Sequence, residues 1–195
     1  MHLQHFASYD IKEFSKIIEV NTLDAFIKNV LKYGKMQDPD IYDPLKYMGD
    51  CWEVFAEFFF KFFNGDHTLT YTANYEPNLS NLNPDRGIDG RGISTLDGKL
   101  CVIQCKFKAN PNEYLTNKDN ISNVVADASL SEEWVTNGKN AIIFTSCKGV
   151  HPNHAMVNAH CISKKEIARR VDKNVVFWND FKSVISKQSN VQEQS

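Results

Sequence analysis

Apolar residues early in the chain recur at helical spacing. Leu23, Phe26, Ile27, Val30 and Leu31 follow the i, i+3, i+4, i+7, i+8 pattern, which predicts an amphipathic helix over 23–33. Thr22 supplies an N-cap and Gly34 a stop. A shorter amphipathic helix is predicted over 11–20. The polar, proline-marked stretch 35–44 (KMQDPDIYDP) reads as a linker, and a third helix follows over 45–63, ending at Asn64-Gly65. From Trp52 to Phe63 only Glu53, Glu57 and Lys61 interrupt its apolar run, so it reads as buried. The period then changes to two. Residues 69–73 predict a short strand, 75–86 a turn-rich loop, and 87–95 with 99–108 a strand pair turning at Asp97-Gly98. Beyond a loop over 110–118, a helix is expected over 119–135 and a buried strand over 141–146 (AIIFTS). Residues 152–171 read as a helix broken near Ser163, 175–178 as a last strand, 181–186 as a last helix, and 187–195 as a polar, frayed tail.

This order predicts an α/β fold, a mixed sheet flanked by helices, with an N-terminal helical extension. The expected division is an extension over 1–44, a core over 45–187 and a disordered tail over 188–195. No internal repeat or low-complexity tract interrupts it.

Composition narrows the picture. A 42% hydrophobic content and 13 phenylalanines suffice for a real core. With 22 basic and 24 acidic side chains the formal charge is −2, so any contact with nucleic acid must be local. Five cysteines (Cys51, Cys101, Cys105, Cys147, Cys161) make no C-x-x-C pair and sit mostly in apolar runs. That suits reduced thiols in a cytoplasmic protein. No signal peptide and no uninterrupted apolar run of membrane-spanning length is present, which predicts no membrane partner.

Candidate chemistry lies in residues 100–108 (LCVIQCKFK). Side chains alternate along a strand, so Cys101, Ile103, Cys105 and Phe107 share one face, and Val102, Gln104, Lys106 and Lys108 the other. The hairpin can return Asp89 towards Gln104 and Lys106. A carboxylate and an amide oxygen suit Mg²⁺, which prefers oxygen ligands and keeps several waters. A neighbouring lysine can orient or deprotonate an attacking water and offset phosphate charge.

These elements resemble a known family. Gly49-Asp-Cys-Trp-Glu53 is similar to the G-x-x-[FW]-E helix of Mrr-like nuclease domains. Asp85-Arg-Gly-Ile-Asp-Gly90 followed by Val102-Ile-Gln-Cys-Lys106 resembles their D-x-G-I-D…(I/V)-Q-C-K signature, found in Mrr-type and type ISP restriction enzymes and in helicase-linked nucleases. The resemblance spans residues 47–181. It implies a PD-(D/E)XK, restriction-endonuclease-like fold and a metal-dependent endonuclease acting on double-stranded DNA with Mg²⁺, or Mn²⁺ as substitute. It makes Asp89 the metal-binding aspartate, Lys106 the catalytic lysine, and Glu53 an added ligand. Gln104 stands where many relatives carry glutamate; a neutral oxygen there weakens metal binding and gives Glu53 more to do. Cleavage of both strands by a one-site protein implies a homodimer on DNA, or a tethered helicase or methyltransferase region if the chain is a domain of a larger enzyme.

Plainer readings compete. Glu53, Glu57 and Lys61 at i, i+4, i+8 also describe a solvated stripe, with Glu57 pairing Lys61. Asp89 and Asp85 suit turns, and Gln104 with Lys106 suits an exposed strand face. Lys164, Lys165, Arg169, Arg170 and Lys173 form a basic helical patch, diluted by Glu166 and Asp172, that serves DNA backbone contact or only solvation; Lys108 has the same two readings. The Asn-rich loops over 74–83 and 110–123 suit base contacts or plain turns. His151, His154, His160 and Cys161 lack the spacing of an established zinc site. The alternatives in function are a catalytically silent DNA- or partner-binding module of the same fold, and a nuclease for RNA or branched DNA.

Overall fold

The repeat beginning at Leu23 folds as a helix because its apolar stripe is buried along its length, and Thr22 Oγ1 accepts from the Ala25 amide at 3.2 Å. A computed structural model describes residues 1–79, 87–121, 140–154 and 159–195. Its helices are α1 (Gln4–Ser8), α2 (Phe14–Ile17), α3 (Leu23–Lys35), α4 (Pro44–Phe62), α5 (Lys164–Val171) and α6 (Val175–Gln194). Its strands are β1 (Thr72–Pro77), β2 (Gly90–Ser94), β3 (Leu100–Lys106), β4 (Ala141–Thr145) and β5 (His160–Ile162). Gly34 does not stop α3. It lies inside the helix, where an added side-chain carbon would stand 2.6 Å from Met48, so it lets α3 approach α4 closely. The entry to α4 is capped by Asp43, which accepts the Lys46 amide at 2.8 Å, with Pro44 at the first helical position.

The five strands form one mixed sheet in the order β1-β2-β3-β4-β5. The first two pairings are antiparallel and the last two parallel. The β2–β3 turn falls at Asp97-Gly98 as predicted, with Gly98 at φ 71°. The strand expected over 69–73 begins instead at Thr72, because the Asp66 carboxylate gathers the amides of Thr68 (2.6 Å) and Leu69 (3.1 Å) into a turn. Pairing then continues to Pro77, across a bulge at Asn74.

Three expectations near the C-terminus are overturned. Residues 160–162 pair with β4 as a strand, Pro152–His154 form a single 3-10 turn, residues 155–158 lie outside the described residues, and α5 follows Ser163, whose side chain and that of Glu166 form a capping box. Residues 175–178 are the first turn of α6, capped by Asn174. Phe177, Trp178, Phe181, Ile185 and Gln188 lie on one helical face, so the separate strand and short helix are one helix. The polar residues expected as a frayed tail continue α6 to Gln194. The helix expected over 119–135 lies mostly outside the described residues.

Helix α4 is the centre of the packing. Trp52, Phe55 and Phe59 meet Phe144 of β4 with ring centroids 5.2, 6.2 and 5.1 Å apart. Trp52 also donates its indole N–H to the Phe144 carbonyl at 3.1 Å. Phe26, Phe177, Trp178 and Phe181 close around Phe55. The helices α1–α3 share this hydrophobic cluster with the sheet. The other sheet face carries a smaller cluster with Val102, Leu115, Ile121, Ala141 and Ile143. Among the described residues no helix is long and apolar enough to cross a membrane.

Burial on both sides leaves the polar stripe of α4 with few routes to water. Glu57 is fully buried and accepts the amides of Gln4 and His5 at 2.9 Å each. Lys61 pairs with Glu57 at 3.1 Å, as expected, and donates to the His2 carbonyl at 2.8 Å. Across from them, Gln188 of α6 accepts the Leu3 amide and donates to the Leu3 carbonyl. The first residues of the chain are therefore clasped between α4 and α6. Glu57→Ala should lower the free energy of unfolding by about 3 kcal/mol, because it leaves two amides without their acceptor and a partly exposed lysine without its counter-charge. Urea titration of the two proteins measures the difference; a change within experimental error would rule out this clasp as a stabilising element.

Candidate active site

Asp89 sits where β2 begins and bonds to β3 on both sides of Gln104. Its amide donates to the Ile103 carbonyl at 2.8 Å, and its carboxylate oxygen Oδ2 accepts the Cys105 amide at 2.6 Å. Its carbonyl in turn accepts the Asn78 amide at 2.9 Å. A carboxylate held by a backbone N–H is fixed in orientation and favoured in its charged form. The ladder thus sets Asp89 opposite Gln104, as the hairpin geometry predicted.

Gln104 is 1% exposed, not at an exposed sheet edge, because β3 lies in the middle of the sheet between β2 and β4. It faces the smaller cluster, beside Val102 and Ile143. Among the described residues neither Oε1 nor Nε2 of its amide has a hydrogen-bond partner. Lys106 follows, half-buried, with its carbonyl accepting from Thr145 Oγ1 at 2.8 Å. Its charge reaches Cys105 and also Asp119, a carboxylate that sequence reasoning did not single out.

Glu53 approaches from the opposite face, on α4. It accepts a hydrogen bond from the Tyr9 hydroxyl, and its Oε2 lies 3.6 Å from Nδ1 of His5. The His5 and Tyr9 rings stack at 5.5 Å. Burial drives the His5 pKa down to about 4, opposed by the nearby Asp89 carbonyl, so the ring is neutral near pH 7. Burial, and then Glu53, push the Tyr9 phenol well up, so it remains a donor. Tyr75 of β1 is wholly buried with its hydroxyl seated on Gly90; any side chain at Gly90 would collide with it. Burial first, and then the charges of Asp89 and Glu53, push the Cys105 thiol up.

His5, Tyr9 and Tyr75 are the site residues that sequence reasoning missed. His5 and Tyr9 stand at i, i+4, one helical face, but nothing in that spacing names Glu53 as the partner. Tyr75 fell in a stretch read as a loop.

The structure brings Asp89 to Gln104 through the ladder. Gln104 and Glu53 come from opposite faces. Among the described residues no three His, Cys, Asp or Glu side chains gather to hold a metal ion. In kind, Asp89 and the Gln104 amide oxygen, which is buried and has no partner among the described residues, are oxygen donors of the type a hard cation takes. Asp85 and Arg86 lie outside the described residues.

The basic residues are less uniform than a DNA-binding patch requires. Lys108 pairs with Asp119 at 2.9 Å, Lys164 with Asp24 at 2.5 Å, and Arg170 with Asp66 at 2.7 Å. Lys165 and Arg169 are exposed on α5. Of the histidines considered for zinc, His160 uses Nε2 on the Leu69 carbonyl at 2.9 Å, while the His151 and His154 rings lie 5.6 Å apart.

The neutral His5 gives the stability a pH dependence. Unfolded, it takes a proton near pH 6.5; folded, only near pH 4. Between these values the unfolded state binds more protons, so stability should fall as pH drops through that window. In chelator, urea unfolding from pH 7 to 5 should show a shallower pH slope for His5→Phe than for wild type; equal slopes would refute the buried neutral ring. No protein-family model matches this chain, and comparison with curated proteins and with solved structures likewise returns no match.

Proposed function

We propose that this chain is a metal-dependent DNA endonuclease of restriction type, with a PD-(D/E)XK, Mrr-like arrangement of its site. The observation that carries the proposal is the double attachment of Asp89 to β3 on either side of Gln104, two residues before Lys106. That attachment orders an aspartate, an amide oxygen and a lysine along two neighbouring strands.

Asp89 would supply a carboxylate oxygen to the cation, joined either by the Gln104 amide oxygen from one face of the sheet or by Glu53 from the other. A bound Mg²⁺ or Mn²⁺ supplies Lewis-acid stabilisation of the phosphoryl oxygens and acidifies the attacking water. Lys106 contributes positive charge beside the phosphate and a donor that orients the water. Tyr9 fixes the Glu53 carboxylate. Lys165 and Arg169, exposed on α5, are the basic residues best suited to the DNA backbone; Lys108, Lys164 and Arg170 would have to exchange an intramolecular partner for phosphate.

A second reading is a catalytically silent DNA- or partner-binding module of the same fold. It is favoured by the neutral Gln104 and by the lack, among the described residues, of a three-acid cluster.

Plasmid cleavage with Mg²⁺ or Mn²⁺ separates the two. Wild type should nick or linearise DNA, and Asp89→Ala and Lys106→Ala should each lose at least a hundredfold in rate, on the order expected for removing a metal ligand or an electrostatic group. A wild type inert on duplex, single-stranded and forked DNA and on RNA would leave the binding module. Cleavage of both strands further requires two sites, so gel filtration with duplex should show a dimer; a monomer that only nicks would refute that pairing.

A further inference from the structure

Beyond the ends of β3 and β4 the chain keeps the order of the sheet. The Lys148 amide donates to the Glu113 carbonyl at 3.1 Å, the Leu115 amide to the Gly149 carbonyl at 2.8 Å, and the His151 amide to the Leu115 carbonyl at 2.9 Å. Leu115 and Val150 thereby pair as parallel strands do. Neighbouring side chains alternate on such a backbone, so the burial of Leu115, 1% exposed, turns Tyr114 outward, 39% exposed.

Three further side chains continue the surface that Tyr114 begins. The Lys148 ammonium stands over the Tyr114 ring, 5.5 Å from its centroid. The His151 ring meets Tyr114 edge-on with centroids 5.5 Å apart, and His154 follows at 5.6 Å from His151. His151 Nδ1 accepts the Asn153 amide at 3.1 Å, which leaves Nε2 to carry the proton and donate. Lys148 is exposed and has no carboxylate partner among the described residues. Glu113, the acid next to Tyr114, is held by Asn110 at 3.2 Å and lies 3.9 Å from Lys108.

Single exposed aromatic residues are commonplace on protein surfaces. A phenol ring, two imidazoles and an unpaired ammonium in continuous contact on ordered backbone are a different arrangement. Rings offer faces to stack on, and an ammonium neutralises phosphate. An unpaired nucleic-acid strand presents both, whereas a duplex hides its base faces in its own stack. A protein partner would call for an apolar centre, and the apolar residues of this ladder, Leu115 and Val150, are buried and half-buried. Nor does Lys148 close the Tyr114 ring to a ligand, because an exposed cation–π contact is weaker than the stacking of a base on an aromatic ring.

We propose that Tyr114, Lys148, His151 and His154 form a surface that binds an unpaired DNA strand. One base stacks on Tyr114 in place of the Lys148 ammonium, which turns to the neighbouring phosphate. His151 and His154 extend the ring surface along the strand. The surface lies at the end of the sheet where β3 finishes at Lys106, and Lys108 reaches from there to Glu113. The choice of DNA rests on the nuclease reading above; the stacking requires neither metal nor cleavage.

The test measures fluorescence anisotropy of a labelled oligothymidylate and of a blunt duplex, in chelator at low salt. The full chain is compared with Tyr114→Ala, Tyr114→Phe and Lys148→Ala. Wild type should bind the single strand and Tyr114→Ala should bind it about tenfold more weakly. Tyr114→Phe should match wild type, because the ring and not the hydroxyl does the stacking. Lys148→Ala should weaken binding and flatten its dependence on salt. Tyr114→Ala should leave duplex affinity unchanged. Equal affinity of Tyr114→Ala and wild type for the single strand, or an equal loss on both DNAs, overturns the surface and leaves the nuclease reading to plasmid cleavage. Single-strand binding that depends on Tyr114, in a protein that leaves plasmid uncut, supports the surface and overturns only the nuclease reading. A wild type that neither binds the single strand nor cleaves overturns both.

Discussion

A carboxylate removed from water must be given donors, and this constraint on Glu57 organises one side of the molecule. Helix α4 carries the aromatic residues that fill the core, and with α1 on one side and the sheet on the other its acidic residues have little access to solvent. Glu57 resolves the conflict by taking the amides of Gln4 and His5 and the ammonium of Lys61. The donors it recruits belong to the start of the chain. Burying one charge therefore brings the N-terminal segment onto α4, one turn from Glu53, and carries His5 and Tyr9 to that carboxylate. Structural and candidate catalytic acids lie on one helical stripe, separated in role by what the first nine residues do.

The same division appears in the sheet. Asp89 spends its backbone amide and one carboxylate oxygen on β3, which secures the start of β2 and orients the acid together. Gly90 follows because Tyr75 must lie against it. Strength of packing and precision of the site are thus produced by the same bonds. Among the described residues the buried Gln104 amide runs the other way, since a polar group without a partner lowers stability.

Much of the scaffold was legible along the chain. Periodicity located α3 and α4 to within a residue or two, and the Thr22 cap is short-range chemistry, whereas the Asp43-Pro44 entry to α4 was read as the end of a linker. The β2–β3 turn needs only Asp97-Gly98, and β4 only a run of apolar residues. Alternation along β3 correctly separated Cys101, Ile103 and Cys105 from Val102 and Gln104. The pairing of Asp89 with Gln104 follows from that register.

What the sequence determined by itself is therefore the set of properties fixed by neighbours within a few residues: helical stripes, strand alternation, caps, turns, and the order of Asp89, Gln104 and Lys106. Tertiary structure decided the rest, because the deciding partners are far apart in the chain. Residues 160–162 are a strand only because β4 offers an edge, and residues 175–178 are helical because Phe177 and Trp178 share a buried face with Phe181 and Ile185. Gln104 is buried because β3 falls in the middle of the sheet. His5, Tyr9 and Tyr75 reach these positions through contacts with residues well beyond their own elements, and no local pattern encodes a bond whose strength depends on burial that only the completed fold supplies.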